Sequence, residues 1–289
     1  EVMAFIPEAE RPSVPLESIR TFTFIAGKLD DNQELIRSNP GYIGNLMALP
    51  ENERIKLKDG RWIDVDDDSG RICTAAATAD IFSNTFVTPS GERYITADIA
   101  LEGSDLLAIA IWDGWVLKEL RTFPKTLGTQ VVAELERAAR EWRVPARNIA
   151  FDSGGVGGFL KGFFRTAYPV NFGAAPITSE RASKIHGAGV NTRPQYYNLR
   201  SQIYFEFARM VENCEIYAEG VTAQQRRDIE QEILAVRRME VSSDQKLRII
   251  PKDQIKKAIG RSPDLADVLA MRTVFDLLPR IQTRTRPVR

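Results

Sequence analysis

The stretch Tyr94-Ile95-Thr96-Ala97-Asp98-Ile99-Ala100-Leu101 is apolar, rich in β-branched and aromatic residues, and carries one carboxylate in its middle. It reads as a buried strand. An unpaired Asp is costly in such a strand, because desolvating its charge takes several kcal/mol. Two readings stand at this point. Asp98 lies on the solvated face of an edge strand, or a cation offsets its burial. Other carboxylates able to share an ion would favour the second.

Working outward, Tyr94–Leu101 is followed by Asp105–Trp112, then Asp113-Gly114, then Trp115–Thr122. Asp-Gly between two strand-like runs signals a hairpin, so three consecutive antiparallel strands are expected. Gly128–Arg143 places Val131, Val132, Leu135, Ala138, Ala139 and Trp142 on one helical face, and Val144-Pro145 ends it. Asn148–Asp152 is a short buried strand ending in a second carboxylate, followed by Ser153-Gly154-Gly155-Val156-Gly157-Gly158. No Lys-Ser/Thr pair follows these glycines, so the turn is not a nucleotide P-loop. The glycines are read as allowing backbone or ligand to approach Asp152 closely. Phe159–Arg165 is expected to be a helix and Tyr168–Phe172 a strand.

Further on, Tyr196–Val211 is an amphipathic helix and Thr222–Arg238 a charged one with an Ile229, Ile233, Leu234 and Val236 stripe. Met239–Val241 and Lys246–Ile250, joined by Ser242-Ser243-Asp244-Gln245, suggest a hairpin, and Pro251–Ile259 a short basic helix or turn. Ser262-Pro263-Asp264 opens the last helix, with Ser262 as N-cap, and Asp264 and Asp267 share its first-turn face. Compensation of the helix dipole explains Asp264 well and Asp267 less well.

The front of the chain has a different character. Thr21–Ile25 alternates like a strand, Lys28–Asn32 reads as a polar turn, and Gly41–Leu46 and Glu51–Leu57 as short helices around Pro50. Asp64–Asp68 lies in a linker-like acidic run; Asp66, Asp67 and Asp68 lack a calcium-loop pattern and read as solvated. A division into residues 1–70 and 71–289 follows. The net charge is zero over 289 residues, yet the first 70 carry 14 acids against 8 bases, so the remainder is mildly basic. Arg181 to Phe205 holds four Lys/Arg and no acid, and Arg280, Arg284, Arg286 and Arg289 close the chain. Such patches suit a solvated surface or a phosphate backbone.

Composition also excludes chemistry. The chain has two cysteines, Cys73 and Cys214, and one histidine, His186. No CxxC or His-rich metal site is possible, and triad mechanisms would have to use His186. A reducing, intracellular setting is expected, with no membrane span or targeting segment, and Glu1 at the start suggests a fragment of something longer. Asp98, Asp152, Asp264 and Asp267 match a hard-cation site, which takes oxygen ligands. Two Mg2+ or Mn2+ ions so held can activate a water and stabilise the departing oxygen of a phosphodiester. The element order is that of an α/β, ribonuclease H-like fold: a central mixed sheet flanked by helices, with a small N-terminal appendage and an auxiliary β-hairpin.

The motifs Ala97-Asp98-Ile99-Ala100, Phe151-Asp152-Ser153-Gly154-Gly155-Val156-Gly157, Tyr197-Asn198-Leu199-Arg200 and Ser262-Pro263-Asp264-Leu265-Ala266-Asp267-Val268-Leu269 occur in order. With them the chain resembles the large terminase subunit of tailed bacteriophages, specifically its C-terminal nuclease domain. Lys28–Asn32, Leu46–Pro50 and Asp59-Gly60-Arg61-Trp62 resemble the end of that family's ATPase domain and its hinge. The resemblance implies that Asp98, Asp152 and Asp267 are the metal-binding positions, with Asp98 bridging both ions. Asp264 falls where some members place an additional ligand, and Lys252 resembles a recurring lysine that contacts the scissile phosphate. It implies a metal-dependent endonuclease cutting concatemeric double-stranded viral DNA in the bacterial host cytoplasm, with the portal protein and small terminase subunit as partners. No GxxxxGK[ST] is present, so ATPase activity is not expected of this polypeptide. Two alternatives remain: another ribonuclease H-like nuclease, acting on junctions or RNA/DNA hybrids, or a DNA-gripping module whose carboxylates are structural.

Overall fold

The computed structural model describes residues 28–39, 41–49, 70–101, 106–124, 126–178, 195–239 and 246–279, with positions 54, 57 and 58. The expected Thr21–Ile25 strand, Asp64–Asp68 run, His186, the hairpin turn Ser242–Gln245 and the closing arginines lie outside these residues, as do most of the expected Glu51–Leu57 helix, of which positions 54 and 57 are helical, and most of the basic Arg181–Phe205 stretch.

Six strands form one mixed sheet in the order β5-β4-β1-β2-β3-β6. β1 (Arg93–Asp98), β2 (Leu106–Asp113) and β3 (Val116–Pro124) are the expected antiparallel trio, and Gly114 turns between β2 and β3 with φ +62°. β4 (Ile149–Asp152) pairs parallel to β1, β5 (Tyr168–Val170) parallel to β4, and β6 (Tyr217–Ala218) parallel to β3.

The apolar run of β1 is continuous because both of its faces are covered. Ile95 and Ala97 pack with Ile109, Ile111 and Phe151 beneath α4 (Gly128–Glu141), whose Val131, Leu135 and Ala138 are buried against them. On the other face, Tyr94, Ala108, Ala110, Trp112 and Ala150 join the larger core. That core is built on α5 (Leu199–Glu212), α6 (Ala223–Ala235) and α8 (Asp264–Ala270). Period-two alternation therefore sends successive β1 residues into two different apolar layers. A polar peg crosses the second interface: Thr96 Oγ1 donates to Val268 O at 2.8 Å and accepts from Trp112 Nε1 at 3.2 Å.

Several local expectations are corrected. The segment after the glycine loop is a 3-10 helix at Gly155–Gly162 rather than a helix at Phe159–Arg165, since four glycines carry little α propensity. The last helix is broken into α8, a 3-10 turn at Met271–Thr273 and α9 (Val274–Leu277). α7 (Lys252–Ile259) is a true helix. The auxiliary hairpin is reduced, among the described residues, to an antiparallel bridge between Arg238 and Ile249. In the front segment, Asn32 caps a helix that sequence reading missed, α1 (Gln33–Ser38), and α2 spans Gly41–Met47. α3 spans Ala75–Asp80. Leu29, Leu46 and Leu49 are buried in the larger core. Among the described residues, no helix is long and apolar enough to cross a membrane.

Candidate active site

Asp98 is the last residue of β1, not its middle as the sequence suggested. Its partner Ala108 closes the β1–β2 ladder, beyond which the two chains part. β4 also ends in its carboxylate, Asp152. Ala97 pairs with Phe151 across the parallel β1–β4 ladder, so Asp98 and Asp152 come next on adjacent strands and point to the same face. The carboxyl ends of parallel strands, where the sheet opens, are the usual place for a site in such folds.

The third contribution comes from α8, whose first turn carries Asp264 and Asp267. Ser262 does not cap it. Pro263 holds the N-cap position with no side-chain cap bond, and the buried Glu232 of α6 takes over. Glu232 Oε2 accepts from the Ala266 N–H at 2.8 Å while Oε1 pairs with Arg261. This carboxylate does from another helix what Ser262 was expected to do locally.

Lys252, the first residue of α7, joins the acids. Its Nζ lies 2.8 Å from Asp267 Oδ2, 3.3 Å from Asp264 Oδ1 and 3.6 Å from Asp98 Oδ2. Asp98, Asp264 and Asp267 are 5%, 4% and 1% exposed. Three of the acids have a further support. Asp267 Oδ1 accepts from Tyr204 Oη at 2.5 Å and lies 3.6 Å from Arg200 Nη2. Asp264 Oδ2 accepts from the Leu106 N–H at 2.9 Å and so also pins the start of β2. Asp152 Oδ1 accepts from the Gly154 N–H at 2.7 Å. The glycine loop makes this possible, because a Cβ at Gly157 would stand 1.9 Å from Asp152 O.

These surroundings pull the acids apart in strength. Burial pushes Asp98 well above the usual carboxylate range; Lys252 opposes the rise, while Asp267, Asp264 and Asp152 add to it. Burial also raises Asp152, against the Gly154 hydrogen bond and Lys252. For Asp267 the burial penalty is outweighed by Lys252 and Arg200 and by hydrogen bonds from Lys252 and Tyr204, so it is held low. Lys252 loses something to desolvation but gains more from Asp267, Asp98 and Asp264, so its ammonium is stabilised far beyond the ordinary lysine range.

Among the described residues, no three acid, His or Cys side chains are spaced to hold an ion as they stand. The chemistry of the donors nevertheless fits a hard divalent cation: all are carboxylates, Asp98, Asp264 and Asp267 are buried with Asp152 partly so, and a cationic nitrogen already lies within reach of three. Lys252 offsets part of a charge that would otherwise be uncompensated. A cleft of about 580 Å³ opens beside it, lined by Asp152, Asp267 and Lys252 and extending past Arg200 to Tyr197 and Arg248. Sequence reading missed Tyr204, Arg200 and Glu232 as supports. The signal for the first two is their i, i+4 spacing, which puts them on one face of α5, where Arg200 lies 5.1 Å from the Tyr204 ring.

No family model matches this sequence, and no curated protein matches it. Solved structures do. The nuclease domain of the large terminase subunit gp2 of bacterial virus Sf6 superposes with a TM-score of 0.59 at 17% identity, covering 73% of this chain and 100% of that one. A mutant of that domain with manganese and beta-thujaplicinol gives 0.58 at 16%, with coverage of 73% and 100%. A mutant with calcium gives 0.56 at 17%, covering 70% and 98%. The structural neighbours of this chain are thus large terminase nuclease domains, and it shares their ribonuclease H-like fold.

Proposed function

We propose that this chain is a metal-dependent endonuclease, the nuclease domain of a phage large terminase subunit, which cleaves concatemeric double-stranded viral DNA during genome packaging. The observation carrying this reading is the convergence of carboxylates from two strand ends and a helix start: Lys252 Nζ lies within 3.6 Å of Asp98, Asp264 and Asp267, and Asp152 lines the adjoining cleft together with Asp267 and Lys252. Asp98, Asp152 and Asp267 would hold Mg2+ or Mn2+, two ions in all, with Asp264 as an additional ligand. Bound ions supply charge stabilisation to the phosphodiester and to the attacking and departing oxygens. The chain's own residues prepare for this. Tyr204 and Arg200 fix the Asp267 carboxylate, the Gly154 N–H fixes Asp152, and Leu106 fixes Asp264. Lys252 offers an ammonium for the scissile phosphate from the same point. Contacts go mainly to phosphates, which favours weak sequence preference and strong salt sensitivity. Portal protein and small terminase subunit are its partners in the assembled motor.

Nicking of a supercoiled plasmid in Mn2+, abolished by chelator, is the expected result. Full activity of Asp98→Ala or Asp152→Ala would overturn the assignment. The Lys252 ammonium among the acids favours one second reading, a DNA-gripping module whose carboxylates are structural. That reading predicts DNA binding with no cutting and no Mn2+ uptake by calorimetry.

A further inference from the structure

The cleft beside the carboxylates continues along a wall that the proposed chemistry does not use. On it the Arg248 guanidinium stacks 3.8 Å from the centroid of the Tyr197 ring. The two residues come from segments held together by backbone. Tyr197 N donates to Leu247 O at 3.0 Å, Leu247 N donates to Gln195 O at 2.7 Å, and the Met239 N–H holds Arg248 O at 2.9 Å. Tyr197 is 52% exposed, whereas its neighbour Tyr196 and the site's Tyr204 are 7% and 1%. An aromatic ring placed for packing would be buried like those two. This one turns a face to solvent inside the cleft that holds Asp152, Asp267 and Lys252. A guanidinium stacked on a ring has its orientation fixed in advance, and its N–H donors lie in its own plane, clear of the ring.

We infer that Tyr197 and Arg248 form a strand-gripping subsite for duplex DNA: Arg248 takes a phosphate flanking the scissile one, and Tyr197 packs against the adjoining deoxyribose. This inference rests on the nuclease reading above. Arg248 precedes Lys252 by four residues, so their Cα atoms are at most about 14 Å apart. Both residues line the same cleft, so the gripped phosphate lies a few nucleotides from the cut. Neither contact reads a base, so the subsite positions the strand without selecting sequence.

The test is fluorescence anisotropy of a labelled blunt duplex in chelator across a salt series, run beside plasmid nicking in Mn2+. Arg248→Ala is expected to weaken binding about tenfold and to lower the slope of log K against log salt by about one. Tyr197→Ala weakens binding several-fold with the slope unchanged, and Tyr197→Phe binds as wild type. At saturating DNA, nicking by all three stays within about threefold of wild type. If Arg248→Ala fails to fold, Arg248→Lys serves: it keeps the charge and the slope but loses the stacked geometry, and binds several-fold more weakly. Wild-type affinity and slope in Arg248→Ala, or in Arg248→Lys wild-type affinity, would overturn the subsite. Failure of the wild type to nick would overturn the nuclease reading instead, leaving the binding series to judge the subsite on DNA alone.

Discussion

Asp98 and Lys252 illustrate how a residue's surroundings set its stability role apart from its use. Asp98 is buried with three other carboxylates nearby, and one ammonium at 3.6 Å does not offset them all. Its raised proton affinity means that folding is favoured while Asp98 is protonated. That contribution is lost as pH rises past the ordinary carboxylate range, about 4, toward the elevated folded value. Asp267, held low, acts with the opposite sign: its contribution is present above the ordinary range and lost on acidification. In chelator, Asp98→Asn is therefore expected to raise the melting temperature at neutral pH by a few degrees. The same change should cut plasmid nicking more than the 10–100-fold typical of groups that merely orient a ligand, about a thousandfold. Calorimetric melting across pH checks the first and a nicking time course the second. Lys252→Ala leaves the acids without their ammonium, so its melting temperature should fall in chelator and recover with Mn2+ by more than wild type gains. An equal Mn2+ response in both proteins would show that lysine and cation do not share those oxygens.

At the scale of elements, the site depends on how its segments begin and end. α8 starts correctly only because Glu232 accepts from Ala266 N while pairing with Arg261. Glu232→Ala strands a buried helix-end N–H and leaves Arg261 with Asp228 as its remaining carboxylate partner, for an expected loss of about 1–3 kcal/mol in chemical denaturation. Gly157→Ala drives a Cβ against Asp152 O. The expected cost is about 1–3 kcal/mol together with a marked fall in nicking, since the carboxylate must shift with its backbone. Sequence legibility divides at this same scale. β1, β2 and β3 were readable because their turn chemistry and apolar runs agree with the structure they adopt. The Asp264/Asp267 face was readable from a spacing of three. The cap of α8 was not, because its carboxylate is 34 residues away from the N–H it serves. Asp98's place at a strand end was also hidden, because Ile99, Ala100 and Leu101 continue the apolar pattern after the pairing has stopped.

For the whole molecule, two apolar layers clamp one sheet, and the described front segment joins the larger of them through Leu29, Leu46 and Leu49. Asn45 adds a polar tie by accepting from Gln195 N at 2.6 Å. Leu46→Ala is thus expected to cost about 2–4 kcal/mol and to lower a single shared unfolding transition, seen by circular dichroism. Two separate transitions would show that the front segment folds on its own. The carboxylate set was legible at this scale, since buried acids on three elements with a single histidine leave few chemistries. Lys252 was reached only through the family resemblance, as a phosphate contact, and its pairing with Asp98, Asp264 and Asp267 was not legible, because only the folded chain brings α7 across to β1. The peg from Thr96 to Val268 spans 172 residues of chain and lies beside both Asp98 and Asp267. On a ribosome the two strand-end acids emerge long before the helix that completes their set, and long-range closures of this kind come late in folding. On the proposed nuclease reading, cutting competence is expected only when residue 268 has joined the fold.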